Sequence, residues 1–120
     1  MKLIATSVFV LASGLMSVTA QAADLKAGQA AWERLNCASC HGADAVKGID
    51  PSYPILAGQY ADYLRQALIS YQRGARGLPA SANVRNNAIM SAFAMQMSRE
   101  DIVNVSAWLA SLPSPLVVRK

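Results

Sequence analysis

Across 120 residues there is one histidine, His41, and there are two cysteines, Cys37 and Cys40. Three such groups fall short of the four Cys or His ligands that a structural zinc site takes. A single imidazole also rules out two histidines of this chain binding one metal ion from opposite sides. No stretch alternates apolar and polar residues as a half-buried strand does. This excludes the βαβ setting in which a Cys-x-x-Cys pair works as a thioredoxin-like redox site. Internal repeats and low-complexity linkers are missing. The arginines are scattered, so there is no basic stripe of the kind that binds nucleic acid. Past the first 18 residues no apolar run approaches the ~20 needed to span a membrane.

What is present begins with an export signal. Lys2 supplies a positive end, Leu3 to Val18 is apolar apart from small residues, and Thr19-Ala20-Gln21-Ala22-Ala23 offers a small-x-small cleavage site. The apolar run is too short for a spanning helix and no stop-transfer charge cluster follows it. Residues 1–23 are therefore expected to be a signal peptide, and 24–120 one exported domain. Without Lys2 that domain has ten basic and seven acidic residues, a net charge of +3, too small to identify a partner. A chain this short has a marginal core and often needs a staple.

The remaining pattern is helical. Asp24 can cap a helix starting at Leu25, with Leu25, Gly28, Trp32 and Leu35 on one stripe, running into the cysteine pair. Gly28 inside it suggests that another backbone passes close by. Gly42 to Gly58 reads as a loop that must pack Tyr53, Ile55 and Leu56. Gln59 to about Arg73 reads as a helix with Tyr60, Leu64, Ala67, Leu68 and Tyr71 on one face and Gly74 as its C-terminal cap. Ala88 to Gln96 can hold a short helix. Ser98 opens the last one, with Ile102, Val105, Leu109 and Leu112 as its stripe and Pro113 as its stop. Three to five helices and no strand are expected.

Cys37-Ala38-Ser39-Cys40-His41 is the pattern of covalent c-type haem attachment, two thiols for two thioethers and an imidazole for the iron. A plain disulfide would leave His41 unexplained. Haem would also serve as the staple that so short a chain needs. With one histidine, the sixth iron position falls to methionine, a ligand that raises the reduction potential. Met90, Met95 and Met97 are the candidates. Met97 stands where a hydrophobic staple precedes the Ser98 cap, and Met95 two residues earlier can pack inward. Met90 follows the turn-prone Asn86-Asn87, where a loop can carry it across the haem face. It is the favoured ligand.

The Cys37–Gly42 motif, Pro54-Ile55-Leu56-Ala57-Gly58-Gln59, and Met90 seven residues before Met97-Ser98-Arg99-Glu100-Asp101-Ile102 resemble class I cytochromes c. The resemblance runs from about Gly28 to Leu112 and is strongest to small periplasmic monohaem cytochromes and single halves of dihaem ones. It implies an all-α fold wrapped around one covalent haem c. Cys37 and Cys40 would be the thioether residues, His41 the proximal ligand and Met90 the distal one. The Pro54 carbonyl would accept a hydrogen bond from the proximal imidazole. Gly28 and Trp32 would cross the last helix near Trp108. Arg65, Arg73, Arg76 and Arg85 could meet the propionates, although solvated arginine is the default. Relatives more often carry Ala and Leu at 95 and 97. The implied function is that of a periplasmic one-electron carrier, not an enzyme, passing electrons from a donor to an oxidase or reductase. It would be a monomer, or, in the alternative, the cytochrome subunit of a periplasmic dehydrogenase or similar complex. A gas-binding haem protein with an open sixth position is disfavoured by the methionine-rich stretch.

Overall fold

The structure, a computed structural model, describes residues 22–115. The expected signal peptide therefore lies outside the described residues except for Ala22 and Ala23. Five α-helices follow in order, with no strand among the described residues: α1 (Leu25–Arg34), α2 (Ala38–His41), α3 (Ala61–Ala75), α4 (Ala88–Met95) and α5 (Arg99–Ser111). A 3-10 turn at Ala80–Ala82 interrupts the connection from α3 to α4. No described helix is long and apolar enough to cross a membrane.

The outer helices start where their cap residues stand. The Asp24 carboxylate accepts from the Ala27 N–H at 3.0 Å. At α5, Ser98 Oγ accepts from the Asp101 N–H at 3.0 Å while Asp101 Oδ2 accepts from the Ser98 N–H at 2.9 Å, a reciprocal capping box. Met97 and Ile102 flank this box and share one core cluster with Trp32, Leu35, Leu64, Val105 and Leu109. Of the α1 stripe, Leu25 is exposed, whereas Ala31, Trp32 and Leu35 are buried.

The first and last helices cross at Gly28. A Cβ there would overlap the Asn104 carbonyl oxygen and lie 2.8 Å from the Trp108 Cβ. The Asn104 side chain is buried and accepts from the Asp24 N–H at 2.9 Å, so the crossing also fixes the start of α1. Trp32 and Trp108 pack with ring centroids 5.5 Å apart. The close approach expected from the glycine is what the fold contains.

Three local expectations need correction. The first helix does not run into the cysteine motif. It ends at Arg34, and Asn36 turns the chain with φ +51, a left-handed conformation that a short polar side chain tolerates. Second, α3 begins at Ala61, leaving Tyr60 exposed, and Gly74 lies inside it. Gly74 is required because a Cβ would overlap the Arg85 carbonyl, and the left-handed residue beyond the helix end is Gly77. Third, Met90 sits in the first turn of α4, where its N–H donates to Oδ1 of the Asn87 cap at 2.9 Å.

The long loop between α2 and α3 is pinned at both ends. Leu56 and Ala57 N–H both donate to the Ala45 carbonyl, and the Gly58 N–H donates to the Leu109 carbonyl at 2.9 Å. This carries Tyr53, Pro54 and Leu56 over the end of α2.

In Gly28→Ala the overlap with backbone is expected to cost about 3 kcal/mol, more than the roughly 1 kcal/mol gained from helix propensity. A urea unfolding midpoint unchanged from wild type would contradict the crossing. Ser98→Ala should lower stability by about 1 kcal/mol. Burial alone would raise the Asp101 carboxyl, but the Ser98 N–H and hydroxyl, with Arg34, outweigh it and hold it below its ordinary value. Its contribution is then complete above the unfolded value of about 3.9 and lost as pH falls through the lower folded value. Asp101→Asn should flatten that acid limb.

Candidate functional site

The turn at Asn36 and the single helical turn of α2 place three reactive groups on one short piece of chain. Cys37 N–H donates to the Trp32 carbonyl at 3.1 Å, and His41 N–H donates to the Cys37 carbonyl at 3.0 Å. The two cysteines are not joined to each other, and both are half-buried. Burial, more than any other influence, pushes the Cys37 thiol up to about 11.

His41 is only 6 % exposed. Its ring lies edge-on to Tyr53, with centroids 5.6 Å apart and planes at 86°, and 6.2 Å from the Trp32 ring. Burial holds its pKa below the ordinary value. The nearby Pro54 carbonyl opposes this to a smaller degree without reaching hydrogen-bond geometry. Neither ring nitrogen has a hydrogen-bond partner. Leaving a buried polar group unpaired costs about 1–3 kcal/mol. An imidazole placed this way is suited to bind something that enters from the cleft beside it.

That cleft has two continuous parts. The narrower, about 550 Å³ counting its mouth, is almost wholly apolar and includes Cys37, Cys40, His41, Met90, Phe93 and Met97 in its lining. The wider, about 1320 Å³, continues past Pro54 and Gln59 to Tyr63, Tyr71 and Arg85. His41, Tyr53, Leu56, Leu68, Ile89, Met90 and Leu109 line both parts. A flat apolar macrocycle with polar substituents at one edge fits such a space. The orphaned imidazole and the two thiols at one end match the donors of a covalently held haem.

The methionines separate by position. Met90 lines both parts of the cleft, Met97 lines the narrow part while packing in the core at 7 % exposed, and Met95 lines neither and is 46 % exposed. Among the four arginines suggested for propionates, Arg85 alone lines the cleft. Its guanidinium lies 5.5 Å from the Tyr63 ring centroid and 5.6 Å from that of Tyr71, and Nη2 donates to the Tyr63 hydroxyl at 3.1 Å. Arg65, Arg73 and Arg76 line a separate groove with Arg99. Arg65 pairs with Asp62 at 3.0 Å, and Arg73 donates to the Ala82 carbonyl. From the sequence Tyr53 reads only as an apolar residue of the loop. Its place one residue before Pro54, in a loop with few other large side chains to bury, was the available signal.

Comparison with known proteins agrees with this geometry. A model of the cytochrome c family matches residues 25–113. The chain belongs to the cytochrome c family, whose members carry electrons on covalently attached haem. It is 37% identical over 109 residues to the thiosulfate dehydrogenase electron acceptor of Stutzerimonas stutzeri, covering 88% of this chain and 46% of that protein. It is also 37% identical over 75 residues to cytochrome c-554(548) of Halomonas halodenitrificans, covering 62% of this chain and 82% of the relative. The crystal structure of reduced recombinant cytochrome c4 from Pseudomonas stutzeri matches with a TM-score of 0.66 and 29% identity, over 79% of this chain and 48% of that one. The chain thus spans about half the length of the electron acceptor and of the c4 structure. The fold is that of a class I cytochrome c.

The cleft-lining residues Trp32, Met97, Val105 and Leu109 also belong to the core, so core packing and cofactor attachment are coupled. The Cys37→Ala/Cys40→Ala chain, made without covalent haem, should show weak near-ultraviolet circular dichroism and no sharp thermal transition. A melting curve as cooperative as that of the haem-loaded protein would sever the coupling.

Proposed function

We propose that this chain is a periplasmic one-electron carrier in which Cys37 and Cys40 hold haem c by thioethers, with His41 and Met90 as its axial ligands. The carrying observation is that His41 and Met90 both line the two parts of one cleft, whose narrow, apolar part also holds both cysteines. Bound haem supplies the chemistry, an iron that cycles between ferric and ferrous states. The chain's own residues bind, orient and exclude water. Trp32 and Tyr53 fix the imidazole from two sides, and the Pro54 carbonyl favours a more basic ring. The Asn87 cap anchors the backbone at Met90. Apolar walls keep water from the site, and Met/His ligation favours a raised potential. No group here is asked to transfer a proton or attack a substrate. Export of residues 24–120 after removal of a signal peptide over 1–23 places attachment outside the cytoplasm.

A second reading makes the chain the cytochrome partner of a dehydrogenase, held more permanently. It is favoured by one observation, the match over 88% of this chain to a protein named as the electron acceptor of thiosulfate dehydrogenase. A dehydrogenase donor, followed by an oxidase or reductase acceptor, is the partner class both readings share. Contacts of the free carrier would be small and short-lived. Stoichiometric co-purification of a second polypeptide would favour the permanent complex.

The ligand set is tested by spectra of protein exported with haem-attachment machinery. The weak red-edge band of methionine-ligated ferric haem should vanish in Met90→Ala and persist in Met95→Ala and Met97→Ala. Its survival in Met90→Ala, or ready carbon monoxide binding by the wild-type ferrous protein at neutral pH, would refute the assignment.

A further inference from the structure

Little of the helix that bears Met90 is buried by the protein's own side chains. At eight residues α4 is too short to persist alone, and Ala94 is its only buried residue. Polar ties to the end of α3 therefore add to its placement. Arg85 N–H donates to the Ser70 carbonyl at 3.0 Å, just ahead of α4. Ser91 Oγ reaches the Tyr71 carbonyl at 3.4 Å, a long contact. The strongest tie is Gln72. Its side-chain Nε2 donates to the Ala94 carbonyl at 2.8 Å and to the Met97 carbonyl at 3.0 Å. Both partners are acceptors, so the amide nitrogen, with two N–H donors, is the atom that must face them.

The spacing gives this clamp its consequence. Met90 and Ala94 are four residues apart and so lie on one face of α4. Holding the Ala94 carbonyl against α3 fixes the roll of the helix, and with it the direction of Met90. Holding the Met97 carbonyl fixes where the chain leaves α4 for the Ser98 cap. We propose that Gln72 is the positioning residue for Met90, keeping its side chain in the cleft it shares with His41. The inference rests on the reading of Met90 as the distal ligand. Gln72 lines the separate groove, with Arg65 and Arg73, and is absent from the lining of the cleft itself. It therefore acts through the helix and not by contact.

The experiment uses the exported, haem-loaded protein and imidazole as an external ligand that competes with methionine for ferric iron. Gln72→Leu and Gln72→Glu both remove the two donors. Each should weaken the red-edge band and bind imidazole about tenfold more tightly than wild type, as expected for losing roughly two net hydrogen bonds. Gln72→Lys, which restores a donor, should return affinity toward wild type. A fall in melting temperature with imidazole affinity and band unchanged would overturn the proposal by leaving Gln72 a merely structural role. Failure of both variants to mature with haem would also overturn it, making Gln72 a folding residue. Met90→Ala in parallel separates the two claims. If its band persists, the ligand reading falls and this proposal with it. If its band is lost while Gln72→Leu binds imidazole like wild type, only the positioning role falls.

Discussion

The backbone contact between Gly28 and Asn104 is the constraint on which the remaining structure rests. It brings α1 and α5 closer than any side chain would allow, and the two helices then supply opposite portions of one surface. Trp32 comes from the first, Val105 and Leu109 from the second, and all three belong both to the core and to the cleft. The long loop attaches to the same platform through the Gly58–Leu109 bond. The cleft is thus a product of the helix crossing. Its floor cannot move without disturbing the centre of the molecule.

On that floor stands a buried imidazole with no hydrogen-bond partner for either nitrogen. An isolated chain would gain by pairing or exposing it, since buried polar groups are almost always satisfied. Aromatic packing by Trp32 and Tyr53 holds it in place instead. The arrangement makes sense for a domain that acquires its last structural component after synthesis. A chain of this size has little apolar surface to spare, and the cofactor that supplies function also completes the interior.

Legibility in the sequence followed the range of the interaction. Asp24 and Ser98 announce helix starts because a cap bonds to backbone three residues away. The Cys37–His41 spacing and the Gly28 crossing were equally readable, one as a covalent pattern and the other as a costly residue where a helix should not want it. Less visible were features decided by a distant partner. The break at Asn36 depends on a left-handed residue that the helical spacing of Trp32 and Leu35 before it conceals. Gly74 looked like a cap because its true neighbour, the Arg85 carbonyl, is eleven residues away and only tertiary structure brings it close. Gln72 carried no signal at all, since nothing local distinguishes a glutamine on a helix surface from one reaching another helix. Met90 could be favoured from its place after Asn86-Asn87, but the exposure of Met95 and the core packing of Met97 needed the tertiary structure.

Arg85 carries a consequence of a different kind. Its guanidinium lies against the Tyr63 and Tyr71 rings and is bonded to one of their hydroxyls, and that hydroxyl bond holds its charge even more firmly than usual. A cation restrained in this way acts as a standing electrostatic bias at the rim of the cleft. It favours whichever oxidation state of a bound centre carries less positive charge. Because it is already oriented, it has little to rearrange when an electron arrives or departs. Mobile water would have to turn its dipoles at each event. The tyrosine pair therefore holds one positive charge in a fixed place in the lining of the cleft.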